Sequence, residues 1–380
     1  MGGIFGVITQ DSCVQTLFYG TDYHSHLGTE HGGMAVFGAK GFYNTIHGIS
    51  QAQFKSRFVD DYKKMEGYAG IGAIDDESPQ PLIFRSKFGV YAVVATGLIT
   101  NKNKLVGELL NEGASFTEMA GGGVNNAEIV ASLINRGDNI VEGIASMRGI
   151  IEGSICVLVL TAEGIYAARD KVGRFPLALG QSKNPERKSY VVATEASSFE
   201  NLGYELKRFL GPGEIVLLSS EGIKQLKPEG NEKKICSFLW IYTGSPSSTY
   251  DGISVERTRE RCGIYLAKRD NVDVDFVEFY KETCDRFGEI INTKNDCYIL
   301  SGEGELCINS EIEIIRPGQL AYIPPHSFHQ LTNISSCPLI MLYCCGKGTV
   351  LHGMQELQGT LPKAGEDIPP VPNGGRKQRA

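Results

Sequence analysis

The runs GVYAVVA at residues 89–95 and SICVLVL at residues 154–160 indicate the fold class of the first half of this chain. Both are short, rich in β-branched residues and bounded by glycine or polar residues, a pattern that predicts β-strands ended by turns. Similar runs recur from residue 1 to about residue 218. Residues 126–135 (NAEIVASLIN) and, more briefly, 141–147 have the apolar spacing of helices instead. Strands interrupted by a few helices predict a layered α+β domain.

Composition narrows the class of protein. The chain has 380 residues, 42% of them hydrophobic, which is an ordinary globular balance and allows two or three domains. A formal net charge of −7 disfavours nucleic acid and anionic membranes as partners, because both need a basic face. The N-terminus has no signal-peptide pattern, and no apolar run reaches the length of a bilayer span. Ten cysteines without a CxxC pair are expected to be reduced thiols in a cytoplasmic protein.

The second half of the sequence changes character. Residues 257–269 are polar and favour a helix, and residues 271–277 (NVDVDFV) alternate like a strand. A second β-rich region follows at about residues 284–343. The Pro- and Gly-rich residues 361–380 are expected to be disordered, because they bury too little apolar surface to offset ordering entropy.

The N-terminal residues 1–7, MGGIFGV, resemble the start of class II glutamine amidotransferases, whose pattern is Met-Cys-Gly-Ile-Phe-Gly. Residues 169–177 (RDKVGRFPL) look like the family's Arg-Asp-x-x-Gly-x-Arg-Pro-Leu turn, with Phe175 where the second Arg would stand. The resemblance implies a four-layer αββα Ntn-hydrolase-like domain of amidophosphoribosyltransferase type, and it extends to about residue 277. Its other matching segments are residues 193–196 (ATEA), 212–215 (PGEI), 236–242 (CSFLWIY) and 251–255 (DGISV).

The resemblance makes the second residue the position of the nucleophile. In the family it is a cysteine, exposed by removal of Met, whose thiolate attacks the glutamine amide with its own α-amino group as base. Here Gly2 keeps the amine and lacks the sulfur, so no catalytic residue is assigned. Cys13 lacks an α-amino base and is interpreted as a structural thiol.

The same resemblance places further substitutions in the glutamine pocket. Asp75 stands where an Arg would bind the glutamine carboxylate, so this pocket is expected to prefer a neutral or cationic ligand. Thr96, beside Gly97, replaces the Asn that donates to the oxyanion, and losing one such donor costs about 10²–10³ in rate. Asn126 replaces the Asp that holds the substrate's α-amino group, and residues 26–28 (HLG) stand where the family has His-Arg-Gly. Loss of glutaminase activity explains all of these changes, whereas an engineered change at the second residue would explain only one.

The transferase half of the family is not recognisable in this sequence. The strand-like residues 272–277 lead directly into residues 278–282 (EFYKE), without the small residues of a phosphoribosyl-pyrophosphate loop. Cys236 stands where some members place one ligand of an iron–sulfur cluster, but the other ligands would lie in the missing half. We therefore expect no cluster.

Residues 297–306 (CYILSGEGEL) read as strand, tight turn and strand, and residues 316–333 (RPGQLAYIPPHSFHQLTN) follow them. Together they resemble the two motifs of the cupin family, over about residues 285–347, which implies a small all-β jelly-roll barrel. Tyr298, His326 and His329 are the expected pocket residues. Only His329 matches a family metal ligand, so a metal-free barrel is expected and His329 is a weak candidate ligand.

These resemblances divide the chain at predicted boundaries: an amidotransferase-like domain at 1–235, a connecting segment at 236–280, a cupin at 281–350 and a tail at 351–380. The leading hypothesis is a non-catalytic homo-oligomer with no cofactor assigned, in which the first domain is a scaffold or altered ligand pocket and the cupin a sensor or oligomerisation unit. One alternative is an enzyme of isomerase or lyase type that uses the Gly2 amine or the cupin pocket. Another is a regulatory partner of an authentic amidophosphoribosyltransferase.

Overall fold

A computed structural model describes residues 2–117, 119, 123–269, 295–308, 311–323, 329–335 and 340–344. The chain divides into two compact units, Met1–Cys262 and Gly263–Ala380, and each is described by itself. The elements that begin in the first unit are, in chain order, β1 (Gly3–Ile8), α1 (Val14–Asp22), β2 (His31–Gly38), β3 (Gly41–Gly48), α2 (Phe54–Tyr62), β4 (Ala69–Asp75), β5 (Leu82–Ser86), β6 (Gly89–Ile99), α3 (Lys102–Asn111), α4 (Asn126–Ile134), α5 (Ile140–Ile150), β7 (Gly153–Thr161), β8 (Gly164–Ala168), β9 (Ala178–Ser182), β10 (Tyr190–Ala193), β11 (Tyr204–Phe209), β12 (Ile215–Ser219), β13 (Gly222–Lys227), β14 (Thr249–Tyr250), β15 (Ile253–Ser254) and α6 (Val255–Arg269).

Two antiparallel sheets form the middle layers of the first unit. One has the strand order β11-β9-β10-β1-β4-β2-β3 and the other the order β13-β12-β8-β7-β6-β5. Apolar side chains from both sheets form one buried cluster between them. A second cluster joins the first sheet to α1 and α2, and a third joins the second sheet to α3, α4 and α5. The layers therefore follow the order αββα, as the sequence resemblance implied.

Strand β1 illustrates how the sequence produces these layers. Successive side chains of a strand point to opposite faces of its sheet. Ile4 and Ile8 join the cluster between the sheets, whereas Phe5 and Val7 join the cluster beneath α1 and α2. Every residue of β1 is buried, because both faces of this central strand are covered.

The helices agree only partly with the sequence prediction. The segments predicted at 126–135 and 141–147 are helices α4 and α5, and Ile129, Leu133 and Ile134 of α4 are buried together as expected. The helix predicted at 257–269 lies within α6. Helices α1, α2 and α3 were not predicted. None of the three has a side-chain hydrogen bond that caps its N-terminus. The N-cap residues of α1 and α2, Cys13 and Gln53, are not usual helix-start signals, and Asn101 before α3 accepts the Glu152 N–H instead of capping the helix.

Residues 236–255 pack within the first unit, on the domain that precedes them. Leu239, Trp240, Tyr250 and Val255 form a buried cluster, against which Phe175 of the preceding domain packs. The Trp240 indole Nε1–H donates to the Ile253 carbonyl at 3.0 Å. The strand predicted at 271–277 lies outside the described residues.

The second unit contains six described strands in two antiparallel sheets. They are β16 (Asn295–Ser301), β17 (Gly304–Ile308), β18 (Glu311–Ile315), β19 (Leu320–Ile323), β20 (His329–Asn333) and β21 (Ile340–Cys344), with the orders β19-β16-β21 and β18-β17-β20. Ile299 of the first sheet is buried with Leu306 and Ile315 of the second. The predicted strand–turn–strand is β16 and β17, and Gly302 between them has a φ of 79°, which glycine adopts without strain.

No helix in the described parts of the chain is both long and apolar enough to cross a membrane.

Candidate functional site

Gly2 lies just before β1, beside the end of β4. Gly3 of β1 pairs with Ile74 of β4, which brings Asp75 next to Gly2. A Cβ atom added to Gly2 would lie 2.4 Å from the Ile74 carbonyl oxygen and 3.4 Å from the Asp75 Cγ. The first of these distances is far below van der Waals contact, so a larger residue at this position requires the backbone to shift.

Asp75 is buried at the end of β4, and both of its carboxylate oxygens are bound within the chain. Oδ1 accepts the backbone N–H groups of Glu77 at 2.7 Å and Ser78 at 3.3 Å. Oδ2 accepts from the Gln80 side-chain amide at 2.7 Å. Burial raises the pKa of Asp75 above its usual range, although the backbone hydrogen bonds oppose that rise. The carboxylate therefore fixes the turn that follows β4.

Gln80 is a member of this site that the sequence reasoning missed. Its side chain is buried. Besides its bond to Asp75, it hydrogen-bonds to both the carbonyl and the N–H of Ala95. Nε2 donates to the Ala95 carbonyl at 2.7 Å, and Oε1 accepts the Ala95 N–H at 2.8 Å. The available signal was the polar Gln80 between Pro79 and Pro81, which indicates a turn but not its partner. Gln80 thus joins the turn after β4 to β6.

Thr96 follows Ala95 and contacts Gly2 directly. The Thr96 hydroxyl donates to the Gly2 carbonyl at 2.7 Å, and the side chain is buried. A hydroxyl has a single proton to donate, so this one is already used within the chain. Gly97 has a φ of +135°, and a Cβ there would lie 2.0 Å from the Ser154 carbonyl oxygen, so only glycine fits.

Asn126 is the first residue of α4 and is tied to the same turn. Its backbone N–H donates to the Ser78 hydroxyl at 3.2 Å, and its Nδ2 donates to Glu77 Oε2 at 3.4 Å. Asn125 caps the helix by accepting the Ala127 N–H at 2.8 Å. Gly2 therefore lies beside Asp75 and is hydrogen-bonded to Thr96. Asn126 is connected to Asp75 through Glu77 and Ser78.

A cavity of about 560 Å³ lies beside this cluster and is separate from Gly2. Strands β2, β3 and β5, the turn after β4 and the start of α4 form its walls. Its described lining residues are His31, Asn44, Glu77, Pro79, Leu82, Ile83, Phe84, Thr117, Met119, Asn125 and Glu128. Asp75, Thr96 and Asn126, which the sequence assigned to a ligand pocket, are not in this lining.

A second polar cluster surrounds the buried carboxylate of Glu195, and the sequence reasoning missed its roles. His26 Nε2 lies 3.0 Å from Glu195 Oε2, and the Ser248 hydroxyl donates to the same oxygen at 3.2 Å. The Tyr250 hydroxyl donates to the other oxygen. Burial alone would raise the pKa of Glu195, but the hydrogen bonds from His26 and Tyr250 outweigh it and lower that pKa. For His26, burial would lower the pKa, and the bond to Glu195 raises it instead.

His24, two residues earlier, is held in the neutral form. It is buried against Gly3, and its Nδ1 lies 2.8 Å from the Gly20 carbonyl, to which it donates. Its Nε2 then accepts the Glu195 N–H at 3.3 Å. Burial lowers the pKa of His24, with the Glu195 charge opposing.

Two buried cysteines in the first unit are poor nucleophiles. Burial raises the pKa of Cys13 to about 12, and it raises that of Cys156 to about 12 as well. The thiolate is the reactive form, so both groups are inert near neutral pH.

The structure describes the backbone of two of the three residues predicted for the cupin pocket. His326 lies outside the described residues. Tyr298 and His329 lie on β16 and β20, and their side chains are likewise outside what the structure describes. Within the described ranges, no group of three His, Cys, Asp or Glu side chains is placed to hold a metal ion.

Comparison with known proteins finds one domain family in the N-terminal part of the chain and another in the C-terminal part. A model of a glutamine amidotransferase domain matches residues 71–201, and a model of a cupin domain matches residues 297–345. The amidophosphoribosyltransferase of Bacillus subtilis (strain 168) is 29% identical over 288 residues, which cover 72% of this chain and 58% of that protein. The amidophosphoribosyltransferase of Archaeoglobus fulgidus is 29% identical over 269 residues, which cover 67% of this chain and 57% of that protein.

A solved structure gives the same result for the fold. The glutamine phosphoribosylpyrophosphate amidotransferase of B. subtilis, complexed with ADP and GMP, matches with a TM-score of 0.63 and 27% identity, over 70% of this chain and 58% of that one. This chain thus spans less than two thirds of the length of these relatives. It contains an Ntn-hydrolase-like glutamine amidotransferase domain homologous to that of amidophosphoribosyltransferases, and a cupin domain follows it.

Proposed function

We propose that the amidotransferase domain of this chain no longer hydrolyses glutamine and that the protein acts by binding a small molecule, as a scaffold or regulator. The observation that carries the proposal is the contact between Gly2 and Thr96. At the nucleophile position there is no sulfur, and the adjacent hydroxyl is bonded to the Gly2 carbonyl at 2.7 Å.

Each step of amide hydrolysis lacks a group in this arrangement. The attack on the carbonyl carbon needs a nucleophile, and Gly2 offers only its amine. The oxyanion that forms needs preorganised donors, and the Thr96 proton is already used. Binding of the substrate carboxylate needs a cation, and position 75 holds an acid whose oxygens are bound by Glu77, Ser78 and Gln80.

The direct test is release of ammonia from glutamine by the purified full-length chain, with removal of Met1 checked by intact mass. We expect no ammonia above a heat-inactivated control over hours. Sustained release would contradict the proposal and would mean that another group replaces the missing thiol.

A cysteine introduced at position 2 is not expected to produce glutaminase activity by itself. In Gly2→Cys the new Cβ would approach the Ile74 carbonyl at 2.4 Å, and Thr96 and Asp75 would still be engaged. We expect the variant to release ammonia no faster than the unchanged chain. The matched comparison is the triple variant Gly2→Cys, Thr96→Asn, Asp75→Arg, because it also supplies the oxyanion donor and the cation. Glutaminase activity in the single variant would show that the pocket is intact apart from its nucleophile.

A further inference from the structure

The cavity of about 560 Å³ at the start of α4 has the size of a small-molecule site, since such sites measure roughly 300–1,000 Å³. We call it the α4 cavity. The chemistry of its wall indicates which ligand it suits. Two carboxylates, Glu77 and Glu128, line it, and its described lining residues include no Lys or Arg.

Three donor groups of this wall already have partners within the protein. Asn44 Nδ2 donates to the Pro81 carbonyl at 2.9 Å, and Asn125 Nδ2 donates to the Pro79 carbonyl at 2.6 Å. The Thr117 N–H donates to Glu128 Oε1 at 3.2 Å. Each amide has a second N–H, so these bonds reduce the number of donors available to a ligand without removing them all.

One acceptor of the wall remains without a partner. Among the described residues, Glu128 Oε2 has no hydrogen-bond partner, although the atom is buried. A buried acceptor without a partner is costly, and a charged one more so. A ligand with N–H donors and a positive charge would supply the hydrogen bond that Glu128 Oε2 does not make within the protein.

The helix dipole does not reverse this preference. The N-terminus of α4 carries about half a positive charge, which by itself favours an anion. Glu128 already lies in the first turn of α4 and meets that preference. With Glu77, the wall carries two full negative charges against that half charge.

Apart from His31, the rest of the wall is mainly apolar, and most of it is contributed by β5. Leu82, Ile83 and Phe84 line it together with Met119. We propose that the α4 cavity binds a small organic cation, an amine or guanidine carried on a short hydrocarbon chain, with Glu128 as its principal ion partner. This deepens the proposed function by naming the ligand class. None of Gly2, Asp75 or Thr96 lines the cavity, so binding there does not require glutamine chemistry.

Isothermal titration of the full-length chain tests the charge preference. The probes are agmatine and butylammonium as cations, butanol as the neutral analogue and butyrate as the anion. We expect measurable binding of a cation and at least ~10-fold weaker binding of butanol and butyrate, because a hydrogen bond to a charged group is worth a factor of about ten or more. Equal or tighter binding of butyrate, or no binding of either cation, would overturn the inference.

Variants test the site. Glu128→Gln removes the charge and keeps an oxygen for the Thr117 N–H, and we expect it to weaken cation binding at least ~10-fold. The matched control is Glu142→Gln, which removes the same charge from the first turn of α5, a helix that does not line the cavity. If Glu128→Gln fails to fold, Glu77→Gln, at an exposed position, replaces it.

Unchanged affinity in the folded Glu128 or Glu77 variant would refute the assignment. Ammonia release from glutamine, measured on the same samples, would refute the proposed function without affecting this one.

Discussion

At the scale of single residues, the side chains around Gly2 are bound to the protein itself. The Thr96 hydroxyl donates to the Gly2 carbonyl, and Asp75 accepts from Gln80, which also hydrogen-bonds to the backbone of Ala95. A substitution at position 2 alone would leave the bonds between Asp75, Gln80 and Ala95 in place.

The Thr96 hydroxyl is expected to contribute to stability. Thr96→Val removes the donor to the partly buried Gly2 carbonyl, and we expect a loss of about 1–3 kcal/mol in the free energy of unfolding. The control is Thr100→Val, whose hydroxyl donates to the Glu152 carbonyl at an exposed position and whose loss should stay within about 0.5 kcal/mol. Urea denaturation of both variants gives the comparison. Equal losses in the free energy of unfolding would mean that the hydrogen bond to Gly2 stabilises the chain no more than an exposed one.

At the scale of elements, two turns organise the region around Gly2. The turn after β4 carries Asp75 and Gln80, and the turn after α1 carries His24 and His26. The second turn is linked by Glu195 to residues 245–250, because the Ser245 N–H, the Ser248 hydroxyl and the Tyr250 hydroxyl all donate to that carboxylate. Glu195 therefore joins segments that are distant in sequence.

The ion pair of this junction predicts a pH dependence. The pKa of His26 is raised in the folded protein, so its stabilisation is present below its usual pKa of 6.5 and is lost as pH rises through the folded value. The pKa of Glu195 is lowered, so its stabilisation is lost only as pH falls through that lowered value. His24, whose pKa is also lowered, opposes folding as pH falls below 6.5.

We expect His26→Gln to destabilise the chain most near pH 6, by about 1 kcal/mol because the ring is a third exposed, and progressively less at higher pH. Thermal or urea unfolding from pH 5 to 9 measures this. In a Glu195→Gln background the same substitution should lose its pH dependence. A destabilisation that is constant from pH 5 to 9 would contradict the ion pair.

At the scale of the molecule, the first compact unit continues through Cys262. Arg169 links the domain before residue 235 to the segment that follows it. Its guanidinium is fully buried and donates to the carbonyls of Phe175, Leu210 and Gly173, and it pairs with Asp251 at 3.0 Å. A chain that ended at residue 235 would leave this charge without its carboxylate.

We expect Asp251→Asn to cost about 3–5 kcal/mol, since removing one partner of a buried ion pair leaves the other charge uncompensated. Asn suits this position because residue 251 has a φ of 48°, which Asn tolerates. The control Asp60→Asn breaks an exposed pair with Lys63 and should cost less than about 1 kcal/mol. Unfolding in urea compares them. If the two losses are similar, Arg169 does not depend on Asp251.

The sequence by itself determined the class of fold and the presence of a glycine at position 2. Alternation in residues 89–95 and 154–160 and the helical spacing of residues 126–135 are local patterns, and they predicted β6, β7 and α4. Residue 2 can be identified from the sequence alone, and its lack of a thiol is the basis of the proposed loss of glutaminase activity.

Only the tertiary structure decided what the neighbours of Gly2 do. The Thr96 bond to Gly2 joins residues 94 positions apart, and Gln80 and Glu195 bind partners that no local pattern specifies. The α4 cavity likewise combines β2, β3, β5 and α4, so its two carboxylates and the unpartnered Glu128 Oε2 cannot be located from the sequence. Hydrogen bonds and interactions between charges depend on the distance between groups in space. Position along the chain fixes that distance only within a single helix or strand.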